Sequence, residues 1–287
     1  MGVANRRGVE KDMLSDKKIC FVGAGSMAEA IIAGMVKMQI VKPDSISATN
    51  RSNPVRLNQL ADAHGIQADP ALKYRYIQEA DILILAMKPK DIKNTVEEIG
   101  EYTTKDHVVV SVAAGIKTET ISGLLGHEAP IVRTMPNTSA LVGQSATGLC
   151  GGKTAQEEHI EVTSKIFESI GSVFRIPEEN MDALTAVSGS GPAFFYYFVE
   201  AMLDGAKSVG LEEGLAKELV LQTMLGATSM LMQSGKEPSE LREAICSPGG
   251  TTLAGLDVLQ SHSLNDTVKA CVEAATKRAV ELGKMNA

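Results

Sequence analysis

The run Ser247-Pro248-Gly249-Gly250-Thr251-Thr252 leads into an apolar-periodic stretch carrying Leu253, Leu256 and Leu259. Glycines at the mouth of a helix leave backbone N–H groups exposed, which suits a carboxylate, and two threonine hydroxyls stand beside them. Taken alone, the same residues read first as a capped helix start after a Gly-Gly turn. A second chemical candidate lies near the other end of the chain. Ile19-Cys20-Phe21-Val22 runs into Gly23-Ala24-Gly25-Ser26-Met27-Ala28, after which Met27, Ile31, Met35 and Met38 recur at helical spacing. In such a strand, turn and helix, Gly23 permits the tight turn, Gly25 lets a pyrophosphate approach the backbone, and Ala28 keeps the helix close to the strand. A purely structural turn is the alternative; the place of the motif on the first strand of an alternating pattern favours a dinucleotide.

An NAD-binding fold usually ends its second strand with Asp or Glu, which accepts hydrogen bonds from the ribose hydroxyls. That place here holds Asn50-Arg51-Ser52-Asn53. A guanidinium with polar neighbours suits a 2′-phosphate, so the expected cofactor is NADP, with NADPH preferred over NADH. Asn53 and Pro54 also read as the cap and first turn of a helix, a role that does not need Arg51. Three further loops follow apolar strands where ligands of open α/β sheets bind: Ala86-Met87-Lys88-Pro89, Ala113-Ala114-Gly115, and Arg133 to Asn137. Lys88 can touch a phosphate or stand in solvent, and Asn137 can face a nicotinamide or serve as an ordinary turn residue.

The elements that must position these residues follow from composition. Val and Ile number 33 up to residue 176 and nine after it. β-Branched residues favour strands, so the chain changes character near Pro177. Ile19–Val22, Ser45–Thr49, Ile82–Ala86, Val108–Val112, Ile131–Thr134 and Val173–Ile176 read as strands between helix-length segments. The fold class expected is α/β: an N-terminal Rossmann-type, doubly wound, mostly parallel sheet plus an all-helical C-terminal domain. The boundaries expected are a loose extension over 1–16, an NADP-binding domain over 17–176, and a helical substrate and dimerisation domain over 177–287. In the helical part, Phe194-Phe195-Tyr196-Tyr197-Phe198 puts aromatics on every face of a helix. A second subunit covering part of that helix is one reading, and a core built within the chain is the other.

Composition narrows the function. The 287 residues are 44% apolar and 22% charged, with a formal net charge of −7. That excludes a disordered or collagen-like chain and gives no electrostatic reason to bind nucleic acid or an anionic membrane. No apolar run approaches the roughly 18 residues of a membrane span. Cys20, Cys150, Cys246 and Cys271 lie far apart without a histidine cluster, so neither a metal site nor a disulfide framework is expected. Residues 1–16 lack the apolar stretch of a secretory signal, and a cytoplasmic setting fits.

Taken together, the glycine turn, Ala-Met-Lys-Pro, Arg-Thr-Met-Pro-Asn-Thr, Ser-Gly-Ser-Gly-Pro-Ala and Ser-Pro-Gly-Gly-Thr-Thr resemble, in order and spacing, the pyrroline-5-carboxylate reductases, which close proline biosynthesis. The resemblance runs from residue 17 to about 284. It implies NADPH-dependent hydride transfer to the cyclic imine 1-pyrroline-5-carboxylate. It also implies that Ser247, Gly249, Gly250 and Thr251 bind the substrate with Glu178, that Thr252 stands at the ring nitrogen as the catalytic group, and that a homodimer or higher oligomer forms through the helical domain. Two positions depart from relatives: Pro70 to Lys73 replace a stretch holding a cofactor-touching asparagine, and Ala244 replaces a polar residue before the Ser-Pro-Gly-Gly run. A β-hydroxyacid dehydrogenase is the nearest competitor, but it carries a lysine acid/base on the first turns of its central helix. Here Pro192 to Tyr196 follow Gly191, and no lysine occurs until Lys207. Ketone reduction needs a proton donor, whereas a protonated imine accepts hydride directly. A non-catalytic NADP-binding dimeric regulator is the remaining alternative, against which the intact carboxylate cradle argues.

Overall fold

The computed structural model describes residues 13–285. These divide into two compact units: the described residues up to Ser190 together with those from Ala275 onward, and Gly191–Ala274. The first unit is an α/β sandwich. Along the chain it holds β1 (Ile19–Val22), α1 (Ser26–Lys37), β2 (Ile46–Thr49), α2 (Pro54–His64), α3 (Lys73–Glu79), β3 (Ile82–Leu85), α4 (Ile92–Gly100), β4 (Val108–Ser111), α5 (Thr118–Leu125), β5 (Ile131–Met135), β6 (Ser145–Gly151), α6 (Glu157–Glu168), β7 (Gly171–Arg175) and the short α7 (Met181–Leu184). The sheet order is β2-β1-β3-β4-β5-β6-β7, parallel throughout except where β6 runs antiparallel to β5.

The short apolar runs become strands because helices cover both faces, so no residue in them can be polar without a partner. Ile19 and Phe21 enter the core layer that α1, α2 and α6 complete, while Cys20 and Val22 enter the layer beneath α4 and α5. β6 was not among the expected strands. Most of its residues are small, and Gly148 leaves room for the Leu184 side chain of α7.

The first unit also differs from the expected boundaries. Residues 13–15 are helical and Leu14 is only 2% exposed within the core, so the fold begins before residue 17; residues 1–12 lie outside the described part. Residues 178–190 belong with the sheet rather than with the helices that follow. The Ser188 hydroxyl donates to the carbonyl of Ala146 in β6, and Glu178 reaches the start of α5. The end of the chain returns to the sheet as well. A Cβ on Gly283 would approach the Gly115 carbonyl to 2.8 Å, so two glycines let the last helix meet the loop after β4.

The second unit is α8 (Gly191–Ser208), α9 (Glu213–Ser234), α10 (Pro238–Ala244), α11 (Thr251–Ser261) and the first part of α12 (Leu264–Met285). Pro192 occupies the first turn of α8, where proline is tolerated. Of its side chains only Ala216 and Val220 are fully buried. Phe195, Tyr196, Tyr197 and Phe198 are exposed, with Phe195 at 63% and Tyr197 at 75%. A patch of this kind on a single chain marks a surface meant to be covered.

Candidate active site

The glycine turn is fixed by sheet geometry. Gly23 has φ +117°, and a Cβ there would lie 2.5 Å from the Ala86 carbonyl oxygen, so a side chain is excluded by backbone and by strain. Its N–H donates to the Thr49 carbonyl at 2.9 Å, tying the ends of β1 and β2. Gly25 caps α1 with extended backbone, and a Cβ on it would meet nothing within 4 Å. Among the described residues no contact accounts for a glycine at that position, and the space before it is open. The first bond within α1 runs from Glu29 N–H to the Gly25 carbonyl, which leaves the preceding first-turn N–H groups facing outward.

A cavity of about 450 Å³ opens at this turn. Gly23, Ala24, Gly25, Asn50, Arg51, Ser52, Ala86, Met87 and Lys88 all line it. Ser26 and Met27 occupy the adjoining first turn of α1, and Pro89 opens the next turn, outside the lining. Ala113 and Ala114 follow β4, also outside it, and Ala113 is buried. Asn137 is committed elsewhere: its amide donates to the Ser188 carbonyl and hydroxyl at 3.1 and 3.2 Å and accepts from Ser139 N–H.

Arg51 stands 85% exposed at the rim, because the loop around it is held by others. Asn50 donates to the Asn53 carbonyl and accepts from its N–H, and Asn53 caps α2 through Arg56 N–H. Several residues in and behind the cavity wall escaped the sequence reading. Arg56 Nε donates to the Ala24 carbonyl at 3.0 Å while its Nη2 pairs with Glu29 at 2.5 Å, bracing the glycine turn from outside. Lys73 pairs with Glu98 at 2.5 Å, and Tyr74 donates to the same carboxylate at 2.7 Å. The Lys73 ammonium above all holds the Glu98 carboxyl below the usual carboxylate range, with burial opposing it and the Tyr74 hydroxyl assisting. Asp91 pairs with Arg51 at 3.6 Å.

In the second unit, Ser247 to Gly250 form a tight turn in which Gly250 N–H donates to the Ser247 carbonyl at 2.9 Å. Gly249 has φ +70°, a conformation that favours glycine, and a Cβ on Gly250 would crowd the Ser247 hydroxyl and lie 3.0 Å from the Ser247 carbonyl oxygen. Gly250 is the N-cap of α11, and no side chain caps the helix. The first intrahelical bond joins Ala254 N–H to the Gly250 carbonyl, which leaves the N–H groups of Thr251, Thr252 and Leu253 outside the ladder. The threonines, read from sequence as capping candidates, therefore do not cap. Glu178 lies in the first unit. Its carboxylate accepts from Thr118 N–H and hydroxyl, both at 2.8 Å, and pairs with Arg133 at 3.4 Å; Asp182 flanks the same buried guanidinium at 3.6 Å. The neighbouring Cys150 thiol is pushed up to about 11, chiefly by burial and then by Glu178, so it is not a ready nucleophile.

A glycine turn on the first strand, an arginine at the rim where an acid would select NAD, and a helical part with almost no core of its own define a Rossmann-type oxidoreductase with an association domain. Residues 178–282 match the family model described as pyrroline-5-carboxylate reductase dimerisation, and residues 18–115 match that of the NADP oxidoreductases, coenzyme F420-dependent. The chain is 45% identical to pyrroline-5-carboxylate reductase 2 of Bacillus subtilis over 266 residues, 93% of this chain and 95% of that one. Among solved structures it is similar to the pyrroline-5-carboxylate reductase of Coxiella burnetii, with TM-score 0.86, 34% identity and coverage of 93% and 98%. It is also similar to the Plasmodium falciparum pyrroline carboxylate reductase with NADP bound, with TM-score 0.84, 30% identity and coverage of 94% and 99%. This chain belongs to the pyrroline-5-carboxylate reductase family.

Proposed function

We propose that this chain reduces 1-pyrroline-5-carboxylate to L-proline with NADPH, preferred over NADH, as a cytoplasmic homodimer or higher oligomer associating through its helical part. Among the described residues no helix is long and apolar enough to cross a membrane. The observation that carries the reading is the mouth of α11, where three N–H groups and the Thr251 and Thr252 hydroxyls have no protein partner among the described residues. A carboxylate complements such a mouth in charge and in hydrogen bonding.

Bound NADPH supplies a hydride, which adds to C5 of the protonated imine while the electrons of the C=N bond move to nitrogen and leave a secondary amine. Gly249, Gly250 and Thr251 bind the carboxylate and hold the ring, and Ser247 fixes the turn that presents them. The Thr252 hydroxyl accepts from the imine N–H and then donates to the new lone pair. No formal acid is needed, in keeping with the apolar first turns of α8. Gly23, Ala24, Gly25, Ser26 and Met27 face the pyrophosphate, and Asn50, Arg51 and Ser52 the adenosine ribose. Ala86, Met87, Lys88, Pro89, Ala113 and Ala114 bound the remaining cofactor path, and Asn137, its amide held by Ser188 and Ser139, contributes no free group to it. Glu178 acts on the substrate through the elements it ties together.

The test is NADPH oxidation with 1-pyrroline-5-carboxylate against a 3-hydroxy acid run in reverse with NADP. Turnover of the imine alone is expected, and turnover of the hydroxy acid alone overturns the reading. A single substitution tests the cofactor. Arg51→Ala is expected to raise KM for NADPH about 10-fold and leave NADH nearly unchanged, the lower end of a charge-assisted contact because the side chain is exposed. Equal loss with both cofactors in steady-state kinetics refutes the role of Arg51.

A further inference from the structure

The cavity wall carries carboxylates as well as cations. Asp91 closes the turn after β3, and Arg51 stands after β2; these strands flank β1 on either side, so their ion pair spans the mouth of the glycine turn. Asp91 ends the short turn Pro89–Asp91 that runs directly into α4, and with its backbone already helical its side chain makes no capping bond and is left for other partners. It is turned toward the cavity and meets Arg51 Nη1 at 3.6 Å. Lys73, on the same wall, is neutralised by Glu98. Among the described residues Lys88 and Lys90 have no ion-pair partner.

We propose that Asp91 is a specificity-determining residue that competes with the cofactor's 2′-phosphate for Arg51 and so tempers the preference for NADPH over NADH. This rests on the NADP reading above. A 2′-phosphate arriving at Arg51 brings up to two negative charges beside a carboxylate already on that guanidinium, and the repulsion has no counterpart for the free ribose of NADH. Asp91 thus acts on one cofactor only.

The test is calorimetric titration with 2′,5′-ADP and with 5′-AMP, at low ionic strength, for the full chain and for Asp91→Asn. The variant is expected to bind 2′,5′-ADP roughly 3- to 10-fold more tightly, the size of an exposed ion pair plus relieved repulsion, with 5′-AMP unchanged. KM for NADPH should fall in the same proportion while that for NADH stays. In an Arg51→Ala background the gain should shrink to less than half, which a merely structural role of Asp91 would not produce. Asp91→Ser, with the melting temperature, controls for disturbance of the α4 start. Unchanged or weaker 2′,5′-ADP binding in both variants, or an equal gain for 5′-AMP, overturns the proposal alone. Absence of 2′,5′-ADP binding in every form overturns the NADP reading and this inference with it.

Discussion

Replacing Phe195 and Phe198 together with lysine is expected to convert the protein from an oligomer into monomers or aggregates and to abolish activity. The α8 aromatics are exposed in the single chain because the second unit has almost nothing to bury them with: Ala216 and Val220 are its only fully buried side chains. An apolar groove of about 560 Å³ between α8 and α9, edged by Phe198, Met202, Val209 and Leu219, is open in the same way. Covering one phenylalanine stabilises by about 1.5 to 3 kcal/mol, and a two-fold interface contains each residue twice, so the double substitution removes on the order of 6 kcal/mol or more. That is at least about four decades in the dimer constant, before the cost of burying four lysines. Light scattering after size exclusion reads the outcome, with far-UV circular dichroism as a control for folding of the sheet. A soluble oligomer of unchanged mass would mean that association uses another surface.

Why some of this was legible in the sequence and some was not has a physical basis. β1, β3 and β4 stood out because strands buried on both faces are apolar at nearly every position, and Ile82–Leu85 or Val108–Ser111 have few other uses; β2 and β5 were placed by their spacing in the alternating pattern although they hold Ser47, Thr49, Arg133 and Thr134. β6 carried no such signal, since SATGLCG holds two glycines and only one large apolar residue, Leu149. The glycine turn was legible because a local conformation and a close approach both demand it. The partners of the cavity cations were not, because Arg51 and Asp91, or Lys73 and Glu98, meet only through the strand order. Glu178 shows the same limit. Its link to Thr118 spans sixty residues, and nothing in the run Pro177-Glu178-Glu179 marks which carboxylate will reach back. The loss of Val and Ile near residue 177 located the last strand correctly but not the edge of the compact unit, which the Ser188 hydroxyl and Gly283 extend from both directions.

Thr252→Val is expected to lower kcat by roughly 10- to 100-fold, about 1.4 to 2.7 kcal/mol of transition-state stabilisation, while leaving the protein as stable as before. The two halves of that expectation come from different observations. Stability should hold because the N-cap of α11 is Gly250 and no threonine side chain caps the helix, so loss of the hydroxyl removes no protein hydrogen bond. A change below about 0.5 kcal/mol is the ordinary range for such a site. Activity should fall because, in the proposed reading, the hydroxyl is the one group able to follow the ring nitrogen as it changes from N–H donor to lone-pair acceptor. An interaction that strengthens along the reaction coordinate appears in kcat and not in KM. The effect stays moderate because a substrate that enters protonated still accepts hydride without a formal acid. Thr252→Ser retains the hydroxyl and should recover most of the rate, which separates hydrogen bonding from shape. Thr251→Val is the informative neighbour: as a carboxylate ligand it should raise KM for the imine and spare kcat. If Thr252→Val turns over normally at an unchanged melting temperature, the hydroxyl has no part in the chemistry, and the nitrogen must be served by water or by the substrate's own proton.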